Sequence, residues 1–504
     1  MSWPARAHDE NRTGSPQYRT PHLPFTTSHV RARRDRYLRM DINRLRVDGE
    51  IMSKIPCALT IAGSDSGGGA GIQGDLKTFA ALGVHGMSAI TAITAQNTLE
   101  VTAVQNIDPD VIRAQIRAVA DDIGVDAAKT GMLHTREIIE VVAEEIERYG
   151  FPVCVDPVMI AKSGAVLLKP EAKDSLVDKI LPLATVLTPN AMEAEAISGV
   201  KIGSLEDGKR AAEKIIKLGP EAVVVKGGHI LQREGMAVDI LLHDGGFTLL
   251  EAERYDTKDT HGTGCSFSSA VAAELAKGKS IPEAVDVAKQ FVNRGIRFGL
   301  RIGEGHGPIN HMANLWNEAE KYTVLRNVSE AVGIIEGSKE MGDLVAEVQM
   351  NVGMALPYAT SLSDVAAVDG RLFRKAKGAR ATGCPAYGVS GHIARTILAV
   401  MAYDRTYRAG MNLRYSEETV ETCKQLGFVV SYYDRREEPP EIKEKEGGTT
   451  FWGSQEAIRR VGRVPDVIYH LGDWGKEPMI VLVGRTAVEV AERAIMIARE
   501  LSTS

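Results

Sequence analysis

From Cys57 to about Met312 short, wholly apolar runs alternate with amphipathic stretches, and few folds accommodate that alternation. CALTIAG, AITAIT, AAKTGML, FPVCVDPV, ATVLTPN and AVVVKGG read as strands. Between them, DPDVIRAQIRAVADDI, TREIIEVVAEEIERYG and LEDGKRAAEKIIKLG place apolar residues at i, i+3 and i+4, the spacing of one helical face. A strand without a polar face must be covered on both sides, so these runs imply a parallel sheet with helices on both faces. Ligands of such sheets sit at the carboxyl ends of the strands. Here each strand-like run is followed at once by Gly, Asp, Asn or Lys.

At 504 residues the chain is too long for one ordinary core. HMANLWNEAEKYTVLRNVSEAVGIIEG reads as a helix leading into a second, smaller α/β region. That region has a strand near EVQMNVGMAL, a long helix from Gly391, strands at FVVSYYD, DVIYHLG and MIVLVG, and a surface loop at REEPPEIKEKEGG. The first 51 residues are polar, arginine-rich and aperiodic, an unstructured extension or a product of start choice at Met52. The expected divisions are therefore 1–51, 52–316 and 322–504. A net charge of −6 gives no reason to expect nucleic acid. No apolar run approaches the roughly 20 residues that span a bilayer. Five scattered cysteines, none as C-x-x-C, argue against a disulfide framework or zinc site and for a cytoplasmic protein. Oligomeric state is not readable, and a homo-oligomer stays open.

Two glycine clusters stand out. In GSDSGGGAGIQGD, Gly69, Gly71 and Gly74 spell G-x-G-x-x-G. A dinucleotide site needs an acid about 20 residues on, at the tip of the second strand. That strand ends on Gln96 and Asn97, and no Gly-Lys-Ser/Thr follows to make a P-loop. In DTHGTGCSFSSAVAAELAKG, Gly262 and Gly264 precede an alanine-rich helix with Cys265 in its first turn. Unpartnered amides there form an anion site, and a thiol among them is expected to have a lowered pKa. A plain helix start with a small buried cysteine is the alternative.

The blocks ALTIAGSDSGGGAGIQGDLKTFAALGVHG, TAQNT, KTGML, VDPVMIAKSG, LTPNAMEAE, VVKGGH, DTHGTGC and GHGPINH occur in this order from Ala58 to about His311. Together they resemble the hydroxymethylpyrimidine (phosphate) kinases of thiamine synthesis, among the ribokinase-like kinases. The resemblance implies ATP and Mg²⁺ and two successive phosphorylations, of the pyrimidine alcohol and then of its monophosphate. It implies that the first glycine loop, Gly63 and Gly71 included, surrounds the pyrimidine and lets backbone approach it. Gln96 would read the aminopyrimidine edge, since an amide both donates and accepts. Asp65 and Asp75 resemble substrate-loop carboxylates, with an N-cap the equal alternative for Asp75. Cys265 stands where relatives in the wider group carry an aspartate base, to deprotonate or orient the alcohol. Gly262, Thr263 and Gly264 would form the anion hole and Lys226 a phosphate cation. Asn190 and Glu193 match an N-x-x-E that positions Mg²⁺ and phosphate, or else a simple helix start. Asp156 would hold Mg²⁺ through water, Lys162-Ser163-Gly164 resembles a flap, and His261 and His229 read as structural. A pyridoxal-type kinase is the runner-up.

MNVGMALPYATSLSDVAAVDGRL, ATGCPAYGVSGHIARTILAVMAYD, MNLRY and HLGDWGKEP resemble the archaeal-type thiamine phosphate synthase domain. This resemblance implies coupling of the pyrimidine diphosphate to thiazole phosphate with release of pyrophosphate, so the expected partners are small molecules. It points to Arg371 and His392 as catalytic, with Arg414, Asp473 and Lys476 behind them; Arg374 and Arg380 read as solvated charges. A domain that only senses thiamine phosphate is the alternative.

Overall fold

A computed structural model of the protein describes residues 55–159, 167–228, 230–233, 235–443, 447–473 and 476–503. The leader, the Lys162–Gly164 flap and His229 lie outside these residues. Ten strands build the first sheet: β1 (Cys57–Asp65), β2 (His85–Gln96), β3 (Val101–Asn106), β4 (Ala127–Thr130), β5 (Val153–Val155), β6 (Val186–Leu187), β7 (Ala222–Val225), β8 (Gln232–Arg233), β9 (Met236–His243) and β10 (Gly246–Glu253). Their order is β10-β9-β7-β6-β5-β4-β1-β2-β3, with β8 paired to β9. From β2 to β7 the pairings are parallel, as the apolar runs require.

The edges depart from the expected all-parallel sheet. β9 and β10 run antiparallel because Asp244 and Gly245 both take positive φ, the geometry of a two-residue hairpin turn. β3 likewise folds back on β2. Helices cover both faces, and their polar ends are secured locally. Asp108 caps Pro109–Asp122 by accepting from the Asp110 amide, and Thr135 caps Arg136–Tyr149 by accepting from the Ile138 amide. The helix Thr263–Ala276 is buried along nearly its whole length from Ser266 to Glu274, which explains its small Ala and Ser side chains.

The second sheet has seven strands: Pro385–Tyr387, Val365–Val368, Val352–Ala355, Ala409–Arg414, Met479–Gly484, Val467–His470 and Val430–Tyr432, in that spatial order. Its pairings are antiparallel except the last. The helix expected from Gly391 is short, His392–Met401. The expected loop REEPPEIKEKEGG opens with a 3₁₀ turn, Arg435–Glu437, and holds a short helix, Pro440–Lys443. Between the sheets runs one continuous helix, Ala313–Gly337. Its Asn317 accepts from the Tyr358 amide and donates to the Tyr358 carbonyl, while Val324, Val328, Ala331 and Ile335 enter the core of the second sheet.

Candidate functional site

A cavity of about 1130 Å³ opens at the carboxyl ends of the parallel strands. Each of those strands delivers a polar side chain to it. Asp65 ends β1, Gln96 ends β2, Lys129 sits in β4, Asp156 follows β5, Asn190 follows β6 and Lys226 follows β7. Gly63, Gly71, Glu193, Gly262, Thr263, Gly264 and Cys265 complete the expected residues in its wall. Asp75 is not among them.

Asp65 organises the first glycine loop. Its carboxylate accepts from the amides of Gly67, Gly69 and Ala70 at 2.8, 3.1 and 2.8 Å, and His261 Nε2 lies 2.9 Å away. Burial pushes this carboxyl upward, but the bonds from His261 and the Ala70 amide outweigh it and hold it below its ordinary value. Asp65 thus holds the loop's own backbone. His261 also lies 3.4 Å from Gln96 Nε2, so it spans the loop and the strand tip. Thr94 Oγ1 donates to Gln96 Oε1 at 3.2 Å.

The glycines are required by close contacts within the chain itself. A Cβ on Gly262, which has φ +78°, would lie 1.9 Å from the carbonyl oxygen of Gly69. A Cβ on Gly71, with φ +56°, would lie 2.4 Å from the Gly63 carbonyl. The two glycine clusters, far apart in sequence, are therefore packed backbone against backbone. That contact seats Gly262 as the left-handed cap of Thr263–Ala276, whose first residues, Thr263, Gly264 and Cys265, line the cavity. Thr263 is turned back, its Oγ1 donating to the Thr260 carbonyl at 2.6 Å.

Cys265 reverses an expectation. Burial pushes its thiol up to about 11; Lys129 opposes this, while Asp156 and Asp75 add to it. The helix-start effect is smaller than desolvation beside two carboxylates, so the group is a thiol at neutral pH.

Lys226 Nζ pairs with Asp156 Oδ1 at 3.0 Å. Burial disfavours its charge, but Asp156 and Glu193 hold the ammonium above its ordinary pKa. Asn190 and Glu193 form a reciprocal capping box: the Glu193 amide donates to Asn190 Oδ1 at 2.9 Å and the Asn190 amide to Glu193 Oε2 at 2.8 Å. Burial pushes Glu193 up to about 7, with Lys226 opposing and Asp156 reinforcing. Asp156 and Glu193 are both oxygen donors in the cavity wall. That donor set suits Mg²⁺, which takes one or two carboxylates plus water and substrate phosphates.

Asp75 is neither a substrate carboxylate nor an N-cap. It lies inside the helix Gly71–Ala81, fully buried, and accepts from Lys129 Nζ at 2.9 Å, Thr60 Oγ1 at 2.6 Å and Ser269 Oγ at 2.6 Å. Sequence reasoning overlooked Lys129. A lysine inside the apolar strand AAKT was the available signal, since a buried ammonium demands a buried partner.

A smaller cavity, about 360 Å³, lies in the second region and brings Arg371, His392 and Lys476 together. Arg414 and Asp473 are not in its wall. Asn351 shapes the turn before Arg371: its Nδ2 donates to the carbonyls of Val368 and Gly370 at 3.0 and 3.3 Å. Burial and then the charges of Arg371, Arg395 and Arg435 hold His392 below its ordinary pKa, and its Nε2 is buried without a partner among the described residues. Arg435 and His470, also in this wall, escaped the sequence reading. Arg374 pairs with Asp343 and Arg380 with Glu336 on the surface.

Helix-start amides and a lysine converging at the strand ends of a parallel-centred sheet are the make-up of a small-molecule phosphotransferase. A profile of the phosphomethylpyrimidine kinase family matches residues 65–310, and one of the thiamine-phosphate synthase ThiN family matches residues 327–496. The hydroxymethylpyrimidine/phosphomethylpyrimidine kinase of Bacillus subtilis is 52% identical over 258 residues, 51% of this chain and 94% of that protein. The thiamine biosynthesis bifunctional protein ThiED of Geobacter sulfurreducens is 46% identical over 255 residues, 50% of this chain and 52% of that protein. The structure of an ADP complex of Bacillus subtilis pyridoxal kinase is 45% identical and covers 51% of this chain and 98% of that one, with a TM-score of 0.49. The chain belongs to the hydroxymethylpyrimidine/phosphomethylpyrimidine kinase family. It is a bifunctional enzyme of thiamine biosynthesis, a phosphotransferase followed by a thiamine-phosphate synthase domain.

Proposed function

We propose that residues 52–316 carry both phosphoryl transfers in the larger cavity, and that residues 322–504 couple the resulting diphosphate to thiazole phosphate in the smaller one. The observation that supports this reading is the meeting of the two glycine clusters, which brings the helix start at Gly264 and Cys265 to the wall of the cavity that Gln96 also lines. Gln96 reads the aminopyrimidine edge, within a pocket whose loop Asp65 and His261 hold rigid. The alcohol oxygen attacks the γ-phosphorus of ATP as the bond to ADP breaks. The amides of Gly264 and Cys265, with Lys226, stabilise the charge on the phosphoryl oxygens in transit. A loose transition state asks little of a base, so Cys265 orients the hydroxyl as a thiol. Asp156 and Glu193 would hold Mg²⁺, which when bound neutralises phosphate charge.

In the smaller cavity Arg371 offers a planar fork to phosphate oxygens and neutral His392 a hydrogen bond to the reacting pair. Among the described residues no helix is long and apolar enough to cross a membrane. Use of ATP and reduced thiols such as Cys154 and Cys423 support a cytoplasmic setting. The decisive assay gives the full chain Mg-ATP, pyrimidine alcohol and thiazole phosphate and looks for thiamine phosphate by mass spectrometry. Without thiazole phosphate the pyrimidine diphosphate should accumulate. Faster turnover of pyridoxal than of the pyrimidine alcohol, or binding of thiazole phosphate without pyrophosphate release, would refute the respective half.

A further inference from the structure

The segment Asp434–Glu438 reads DRREE, a run that normally pairs its own charges at the surface. Most of it does so. Asp434 accepts from Arg436 Nε at 3.0 Å and Arg460 pairs with Glu437. Arg435 does not. Its side chain forms no ion pair or hydrogen bond among the described residues, its Nε is buried, and it faces the smaller cavity. Glu438 is not its partner, because both Glu438 oxygens are themselves buried without one.

The wall around Arg435 is set for an anion. Arg371 and Lys476 bring two further cations. Glu477 is the one carboxylate among the described wall residues, and it is engaged by the amides of Glu347 and Val348 at 2.9 and 3.0 Å. The two histidines add no charge at neutral pH: burial, then Arg435 and His392, push His470 down to about 4, and His392 is lowered as well. Two helices, His392–Met401 and Gly448–Val461, also begin at this wall through Ser390, His392, Gly447 and Thr449. Three cations and two helix starts exceed what one phosphate monoester needs and match the charge of a diphosphate.

We propose that Arg435 receives the departing diphosphate in the coupling reaction, alongside Arg371 and Lys476. The inference rests on the synthase reading given above. The thiazole nitrogen forms a bond to the pyrimidine methylene carbon as the carbon–oxygen bond to the diphosphate breaks. The bonding pair leaves on that oxygen, and Arg435 takes up the charge through two of its N–H groups.

The test supplies the full chain with preformed pyrimidine diphosphate and thiazole phosphate, bypassing the kinase. Arg435→Ala should lower kcat/KM for the pyrimidine diphosphate and weaken product inhibition by pyrophosphate, each about ten- to a hundredfold, as expected for loss of a charge-assisted contact. Arg435→Lys should recover part of both, since lysine restores charge without the fork. Phosphorylation of the pyrimidine alcohol in the same samples reports that the variants are folded. Unchanged turnover and pyrophosphate inhibition in Arg435→Ala would overturn the proposal, as would an effect confined to KM for thiazole phosphate. Should the unaltered chain show no coupling, the synthase reading fails by itself. Calorimetric titration with inorganic pyrophosphate then decides the site: weaker binding in Arg435→Ala sustains the diphosphate site, and identical binding ends it.

Discussion

Cys265 shows how far a residue's chemistry is from its motif. Its place in THGTGC suggested a lowered thiol pKa, yet burial keeps it protonated, reinforced by Asp156 and Asp75, far away in sequence. With the thiol pushed up to about 11, alkylation of Cys265 by iodoacetamide at pH 8 should run about a hundredfold slower than at an ordinary thiol. The rate should rise about tenfold per pH unit toward pH 11. Peptide mass spectrometry follows this residue separately from exposed Cys384. A plateau near pH 7 would restore the thiolate and the base role. Asp75 and Lys129 teach the same lesson, since each residue is visible in the sequence but their pairing is not.

At the scale of elements, the alternating apolar runs were sufficient to read the parallel strands and their helices. The hairpin at Asp244-Gly245 was visible too, as a turn dipeptide between apolar stretches, but was passed over. The strands of the second sheet were harder, because four-residue runs such as Val365–Val368 are too short to show a period. The glycine clusters were visible in the sequence, but the contact of Gly262 with Gly69 was not. Gly262→Ala forces a left-handed φ, costing about 1–2 kcal/mol, and drives a methyl into the Gly69 carbonyl. Kinase turnover should fall about a hundredfold, the scale of a lost anion-hole donor, with a lower melting temperature. Synthase turnover in the same sample should hold, and unchanged kinase turnover would mean that the loop contact does not set the amides.

The whole molecule carries a pH signature in its buried histidines. His311, whose Nε2 lies 2.8 Å from Ser266 Oγ, and His470 are both pushed down to about 4, chiefly by burial. A depressed folded pKa gives stability that is present above the unfolded value near 6.5 and is lost as pH falls toward 4. At pH 5 each histidine should have forfeited about 2 kcal/mol. Glu193, raised to about 7, has the opposite slope, with its stability lost as pH rises through 7, so it masks part of the effect in the first region. The second region shows it plainly. Its urea midpoint should drop between pH 7 and pH 5, and His470→Gln should flatten that drop; an equal drop in the variant would assign the acid sensitivity elsewhere.

Order along the chain determined the strand and helix pattern, the presence of two regions, and the glycine and cysteine positions at the strand ends, because these depend on neighbours within a few residues. Only the tertiary structure decided which charges pair with which. Asp75 meets a serine 194 positions away, and Arg435 has no partner among the described residues in a segment that looks self-neutralising. Protonation and pairing follow distance and desolvation in space, and those quantities do not exist until the chain has closed on itself.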